Sequence, residues 1–417
     1  KPNISTPSPD SIWIDEVSTF TAQASDPEGD SVRYQFDFGD GSSSDWTSFV
    51  PSGEAGSGSH IYKKLGTFHV KARAQDKHGN TSGWSDSLQI EVKIGRGVCW
   101  IADHDSLAVI VKAGRRGSII DVFNIRGWPV TLAVDTIDGC VWIACTYDNS
   151  IVKISPTGDE KVYKHGDALP PGPIPHGKSP STPCIDYRDN RHCWFVLAEV
   201  YLIVKFHKDT GEPLQIISDS SAWEDPDHRR HQLPAIALDN ERNWMWIAET
   251  DYADVSNSYI ARYNFSAREF DLRIQGVQAT YIEVDPKTHY CWGVEPIEQR
   301  VFKVSPEGVL TRLGLRVTNP FSLSVDSERG CVWIGCSRDG EEVIKISTEG
   351  EELFRRGVES PVTGIEVDPI SGDCWASLVS KLCAVKLSKD SLNIICTVNS
   401  NIFRGPSGIA VNPNFEP

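Results

Sequence analysis

One aromatic residue sets the frame for most of this chain. Tryptophan recurs as Trp100, Trp142, Trp194, Trp246, Trp292, Trp333 and Trp375, at intervals of 41 to 52 residues. Each lies inside a short apolar run, as in Gly330-Cys331-Val332-Trp333-Ile334-Gly335. Two landmarks travel with it. Seven or eight residues upstream an apolar residue is followed by Asp, at Asp135, Asp186, Asp239, Asp285, Asp326 and Asp368. Downstream a basic residue stands between apolar neighbours, at Lys112, Lys153, Lys205, Arg262, Lys303, Lys345 and Lys386. Self-similarity at such a period marks a repeat architecture, and the short apolar runs separated by turn residues read as strands.

The landmarks count unevenly. Seven Trp and seven basic segments stand against six apolar-Asp segments, and the absent one belongs before Trp100. Its pattern appears at the other end, in Ser407-Gly408-Ile409-Ala410-Val411-Asn412-Pro413, with Asn in place of Asp. A first blade built from residues 97–125 and 406–413 closes a ring and leaves no long free strand edge. The expected fold is all-β: a small Ig-like β-sandwich over residues 1–93, then a seven-bladed β-propeller over 94–417 closed by a C-terminal strand. Within a blade the Asp is read as a turn cap, the Trp as packing between neighbouring blades, and the basic residue as a stem laid along that packing. Its charge is expected to point outward and to meet acidic groups of the next blade.

The repeats lack the Gly-His and Trp-Asp pairs of WD40 blades and resemble the NHL and YVTN class of propellers. That class includes binding scaffolds, lyases and lactonases, so the resemblance speaks to fold. In the N-terminal part, residues 1–10 read as a linker end. Alternating runs at 18–24, 32–38, 68–74 and 88–92 then read as strands of a sandwich. Phe36-Asp37-Phe38-Gly39-Asp40-Gly41, with Asp26-Pro27-Glu28-Gly29-Asp30 before it and His60-Ile61-Tyr62 and Gly66-Thr67-Phe68-His69-Val70 after it, resembles the PKD domain family. The resemblance implies an extracellular or cell-surface setting and a spacer or contact module. Asp26, Glu28, Asp30, Asp37 and Asp40 raise a calcium (Ca) reading for this domain, against the simpler reading of Asp residues capping turns.

The totals narrow the function classes. The formal net charge is −16, which argues against a general affinity for nucleic acid. No apolar run is long enough to insert in a membrane as a helix. The chain begins at Lys1, as a secreted chain does after leader removal or as a trimmed one does. Eleven cysteines include no Cys-x-x-Cys pair, and most stand beside the repeat Trp as small core residues. Cys383 with Cys396, and Cys184 with Cys193, are spaced to face across a hairpin.

Departures from the minimal blade mark candidate sites. The longest insertions, 164–183, 219–234 and 249–258, fall on one face over blades two to four, where loops on a rigid scaffold bind ligands. They carry the candidate ligand-binding residues His165, His176, Trp223, Asp225, His228, Arg229, Arg230, His231, Asp251 and Tyr252. Three residues past the repeat Trp, on the same face, Asp103, Glu249 and Glu295 are the candidates for a divalent metal such as Ca at the channel mouth. No catalytic residue is assigned and no cofactor is required. The leading reading is a secreted or cell-surface, non-enzymatic binding scaffold for protein or glycan. The alternatives are a metal-dependent propeller lyase or lactone hydrolase, and a self-assembling subunit of a surface layer or filament.

Overall fold

The structure is a computed structural model. It describes all residues except 9–11, 106–107, 126, 147–149, 165–179, 189–190, 198–201, 219–230, 252–253, 400, 402 and 415–417. The chain divides into two compact units, Lys1–Arg96 with Gly114–Ile120, and Gly97–Ala113 with Asp121–Pro417.

The first unit is a sandwich of a three-stranded and a four-stranded sheet. Val17–Gln23 is flanked by Asn3–Ser8 and Ala55–Ile61 in one sheet. Val32–Asp37, Gly66–Asp76, Leu88–Lys93 and Ile12–Trp13 form the other. Phe20, Tyr34, Phe36 and Tyr62 fill the space between them, all with no exposed surface. Two elements differ from the expectation. Residues 3–8, read as a linker end, form a strand, because Ser5 pairs with Thr21 across it through their hydroxyls at 2.7 Å. The Gly- and Ser-rich segment 55–61 is also a strand. Its glycines let the backbone lie against aromatic rings, since a Cβ at Gly58 would meet Phe36 at 2.6 Å and one at Gly56 would overlap Tyr34.

The second unit contains seven four-stranded antiparallel sheets arranged as a propeller. Six are continuous in sequence. Their innermost strands are Pro129–Val134, Pro180–Asp186, His231–Asp239, Tyr281–Val284, Pro320–Asp326 and Val362–Val367. The seventh, blade 1, takes Val98–Asp103, Val109–Ala113 and Ile119–Asn124 from its start and Pro406–Asn412 from the far end of the chain. Ala410 stands opposite Trp100 and Val411 opposite Cys99.

All seven repeat Trp are buried. Six pack into the core of the following blade, as Trp333 does among Val362, Ile365 and Val367, and Trp375 among Ile101, Ile409 and Val411. The basic residues behave differently from expectation. Each stands opposite its own Trp with the cationic end 5.0–5.6 Å from that ring. Lys112, Lys345 and Lys386 are buried rather than outward-pointing. In five blades the charge reaches a turn carbonyl of the following blade: Lys112 to Pro156, Lys153 to Lys208, Arg262 to Pro306, Lys303 to Thr348 and Lys345 to Lys389. Lys303 also meets an acid there, Glu349 at 3.9 Å, while Lys205 and Lys386 pair with Asp186 and Asp368 of their own blades. A carbonyl at the tip of a tight turn is an orphan acceptor, so it suits a buried ammonium without adding a second buried charge.

The Asp at the end of each innermost strand caps the turn that follows. Asp135, Asp186, Asp285 and Asp368 accept from the amide two residues on, and Asp239 and Asp326 from the amide three residues on. Asn412 does the same for Asn414 in the composite blade.

Candidate acid-lined channel site

The innermost strands place one residue per blade at a common level, opposite the repeat Trp. Around the ring these are Ala410, Ala133, Cys184, Ala237, Glu283, Ser324 and Glu366. Five of the seven are small or weakly polar. Two carboxylates at a level otherwise given to Ala, Cys and Ser are therefore a departure, and they stand on blades 5 and 7 with Ser324 between them.

Two of the three polar side chains tie neighbouring blades together. Glu283 Oε1 accepts from the Val325 amide at 3.1 Å, and Ser324 Oγ accepts from the Val367 amide at 3.1 Å. Glu283 Oε2 is fully buried and has no hydrogen-bond partner. Burial pushes the Glu366 carboxyl up to about 8. Burial, and then the charge of Glu366, push Glu283 well above the usual carboxylate range. Two carboxyls that share a low-dielectric site cannot both ionise readily, so near neutral pH the pair retains a proton.

Both line a cavity of about 430 Å³ at the end of the channel where the capped turns lie. Its wall also carries Asp239, Glu241, Asp326 and Glu328, and no Lys, Arg or His is among its lining residues. The rim acids have contacts of their own: Asp239 and Glu241 with the His289 imidazole at 2.9 and 3.7 Å, Asp326 with Arg329 at 3.2 Å, and Glu328 with Lys287 at 2.8 Å. Glu283 and Glu366 have no basic partner among the described residues.

The carboxylates singled out for a metal do not converge. Asp103 accepts from the Arg404 and Gly405 amides at 2.6 and 3.0 Å, holding the approach to the closing strand. Glu249 accepts from the Tyr259 hydroxyl. Glu295 takes a bidentate pair from Arg312, at 2.8 and 3.1 Å. Asp251 is buried and accepts from the Asp254 amide and the Asn257 side-chain amide. Among the described residues no group of three or more His, Cys, Asp or Glu is placed to hold a metal ion. His165, His176, Trp223, Asp225, His228, Arg229, Arg230 and Tyr252 lie outside the described residues. The backbone of His231 pairs with that of Asp251. In the sandwich, Asp26, Asp37 and Asp40 accept from nearby amides as turn caps, Asp40 also contacts His60 at 2.7 Å, and Asp30 pairs with Lys77 at 2.6 Å.

Glu295 is fully buried and Arg312 only partly so. Arg312→Leu is expected to lose about 2–3 kcal/mol in urea unfolding, because a buried carboxylate keeps its desolvation cost without its partner. Arg312→Leu combined with Glu295→Leu should recover most of that loss. Equal losses in the single and double variants would refute the pairing as a stability determinant.

Comparisons with known proteins add the following. Residues 7–87 match the family model of the PKD domain. The PKD match falls within the sandwich unit. Among solved structures, the chain is similar to a functionally unknown protein from Desulfotomaculum acetoxidans, at 12% identity over 76% of this chain and 99% of that one, with a TM-score of 0.58. It is also similar to a periplasmic gluconolactonase of Pseudomonas aeruginosa, at 11% identity over 76% and 99% of the two chains, TM-score 0.56. A third is a streptogramin B lyase, at 14% identity over 75% and 91%, TM-score 0.52. At such identities the likeness is one of fold. A comparison with curated proteins finds no match.

The channel pair was missed from sequence although a signal was present. Ile282-Glu283-Val284-Asp285 and Ile365-Glu366-Val367-Asp368 put Glu two residues before the capping Asp, where other blades have Ala, Cys or Ser. Aligning the first strands by that Asp exposes it.

Proposed function

We propose that this chain is a secreted or cell-surface, non-enzymatic binding protein: a PKD domain joined to an NHL/YVTN-type propeller that holds a small ligand at the acid-lined end of its channel. The PKD match supports the extracellular setting, and no helix among the described residues is long and apolar enough to cross a membrane. The observation that carries the reading is the cavity itself. Its volume is that of a small-molecule site, and its inner wall holds a buried carboxylate oxygen without a partner. Protein or glycan contacts over blades two to four remain part of the proposal on the strength of the long insertions there.

Ser324→Phe fills the cavity between the two Glu. Ligands found by thermal-shift screening of the intact chain should stop raising its melting temperature in that variant. Undiminished shifts would refute the channel reading.

One observation favours a second reading, a lyase or lactone hydrolase. A carboxyl that keeps its proton near neutral pH beside another carboxyl is suited to general acid–base work. Turnover of lactones that falls at least a hundredfold in Glu366→Gln would decide for it. A metal-dependent form would draw on Asp103, Glu249 and Glu295, which are already engaged by protein groups.

A further inference from the structure

The channel cavity also specifies the chemistry of its occupant. Resting on the binding reading above, we infer that it takes a small organic cation, an alkylammonium or guanidinium compound, whose charged tip lies between Glu283 and Glu366.

Three observations converge. First, the cavity wall is acidic and contains no basic residue, so an anion entering it meets only repulsion. Second, the charge is not uniformly free. On the rim, Asp326 pairs with Arg329, Glu328 with Lys287, and Asp239 and Glu241 share the His289 imidazole, whereas the inner pair has no basic partner among the described residues. Third, Glu283 Oε2 is buried with no partner, while its other oxygen is already held by the Val325 amide. An N–H donor in the channel completes the acceptor set once the carboxylate turns that oxygen toward the cavity. Glu283, Glu366 and Ser324 alone are short of the six or more oxygens that calcium takes, and among the described residues no three His, Cys, Asp or Glu are placed to hold a metal ion. About 430 Å³ is also far more room than a bare ion fills. A cationic tip on a short aliphatic stem uses both the charge and the volume, with Val284, Val325 and Val367 lining the path of the stem.

Occupancy must move a proton. The titratable groups facing the pair are Asp285, Cys184, Tyr281, Cys99 and Cys374, and none of them brings a positive charge. A bound cation therefore favours the ionised carboxylates and releases a proton to solvent. Affinity should rise with pH from 6 to 8, by up to about tenfold per unit.

The test is isothermal titration of the intact chain with three probes of similar size: agmatine, 1,5-pentanediol and glutarate. Calcium, zinc and a Gly-Gly-Lys peptide serve as further arms, each with wild type, Glu283→Gln/Glu366→Gln and Ser324→Phe. Support would be agmatine binding that weakens at least tenfold in the double Gln variant. It should also release about one proton at pH 7, read from the dependence of heat on buffer ionisation. Tighter binding of the diol or glutarate, abolished by Ser324→Phe, would leave the channel reading standing and overturn the cation inference. Tighter binding of calcium or zinc would overturn it in favour of a metal site. A stronger peptide signal would overturn a free small molecule in favour of a partner's side chain. Agmatine binding unaffected by Ser324→Phe would overturn both readings.

Discussion

A chain ending at Gly405 should lose the cooperative melting of its propeller, not merely a strand's share of it. Pro406–Asn412 is the innermost strand of blade 1, laid against Val98–Asp103 and contributing Ile409 and Val411 to a core that also holds Trp375. It is anchored on both sides. Ser377 Oγ donates to Ser407 O at 2.8 Å and Thr363 Oγ1 to Pro406 O at 3.0 Å from blade 7, while Ser407 Oγ reaches Pro129 O at 3.3 Å in blade 2. Without it, blade 1 has three strands and Val98–Asp103, buried along its whole length, becomes an open edge. Burying a core aliphatic side chain contributes about 1.5–3 kcal/mol, so the loss of Ile409 and Val411 with the ladder rivals the net stability of an entire domain. A point variant tests the same closure. A Cβ at Gly364 would overlap Ser407 O, so Gly364→Ala forces blade 7 away from the closing strand. Calorimetry should show no cooperative propeller transition in the truncated chain and a transition lowered by many degrees in Gly364→Ala. Wild-type melting in the truncated chain would refute closure by this strand.

Raising the pH from 5 to 8.5 is expected to lower the melting temperature through Glu366. Its carboxyl moves from an ordinary value of 4.5 to about 8 on folding. Between those values the folded chain keeps a proton that the unfolded chain has released. Stability therefore falls with rising pH, by up to about 1.4 kcal/mol per unit. Below the ordinary value both states are protonated and the effect vanishes; above about 8 it is complete. Part of the carboxyl's environment is the open cavity, and water there reduces the full cost to about 2–3 kcal/mol. Burial raises Glu283 too, so Glu366→Gln should shrink this dependence and Glu283→Gln/Glu366→Gln should flatten it. Asp186 and Asp368, held low by Arg188 and Lys386 despite burial, add stability that is lost only in more acidic solution. The buried thiols, pushed up by burial, matter only in more alkaline solution. Parallel melting curves for wild type and Glu366→Gln across the window would show that the channel carboxyl is not buried as described.

How much of this was legible in the sequence depends on what each residue answers to. The Trp spacing counts the blades because an indole between blades is required at every repeat, and Asn412 does for its turn what the six Asp do for theirs. Features set by a neighbour in space were harder to read. The strand 55–61 carries no aliphatic alternation because its glycines serve the rings of Tyr34 and Phe36 on another strand. Five of the basic residues find a carbonyl because their cationic ends face a turn tip of the next blade, which spacing along one blade does not show. Strand register also decides the cysteines. Cys383 stands opposite Asn399 and Cys396 opposite Lys386, while Cys184 stands opposite Trp194 and Cys193 opposite Ile185, so neither pair faces across its hairpin. The channel pair was written in the sequence, but long loops drew attention to the opposite face, and many of their residues lie outside the described ones.

The cation that leaves five of the seven blades for a turn carbonyl in the following one gives the ring a direction. Donor and acceptor sit on different surfaces of the repeat, so the contact is head-to-tail, like a heterologous interface whose rotation happens to close. Such a contact is indifferent to how many copies precede it. Blade number is then governed by the angle at which the last blade meets the strand that completes the first. A duplication or loss of one repeat would preserve every latch between neighbours and concentrate the misfit at blade 1, where the two ends of the propeller segment meet.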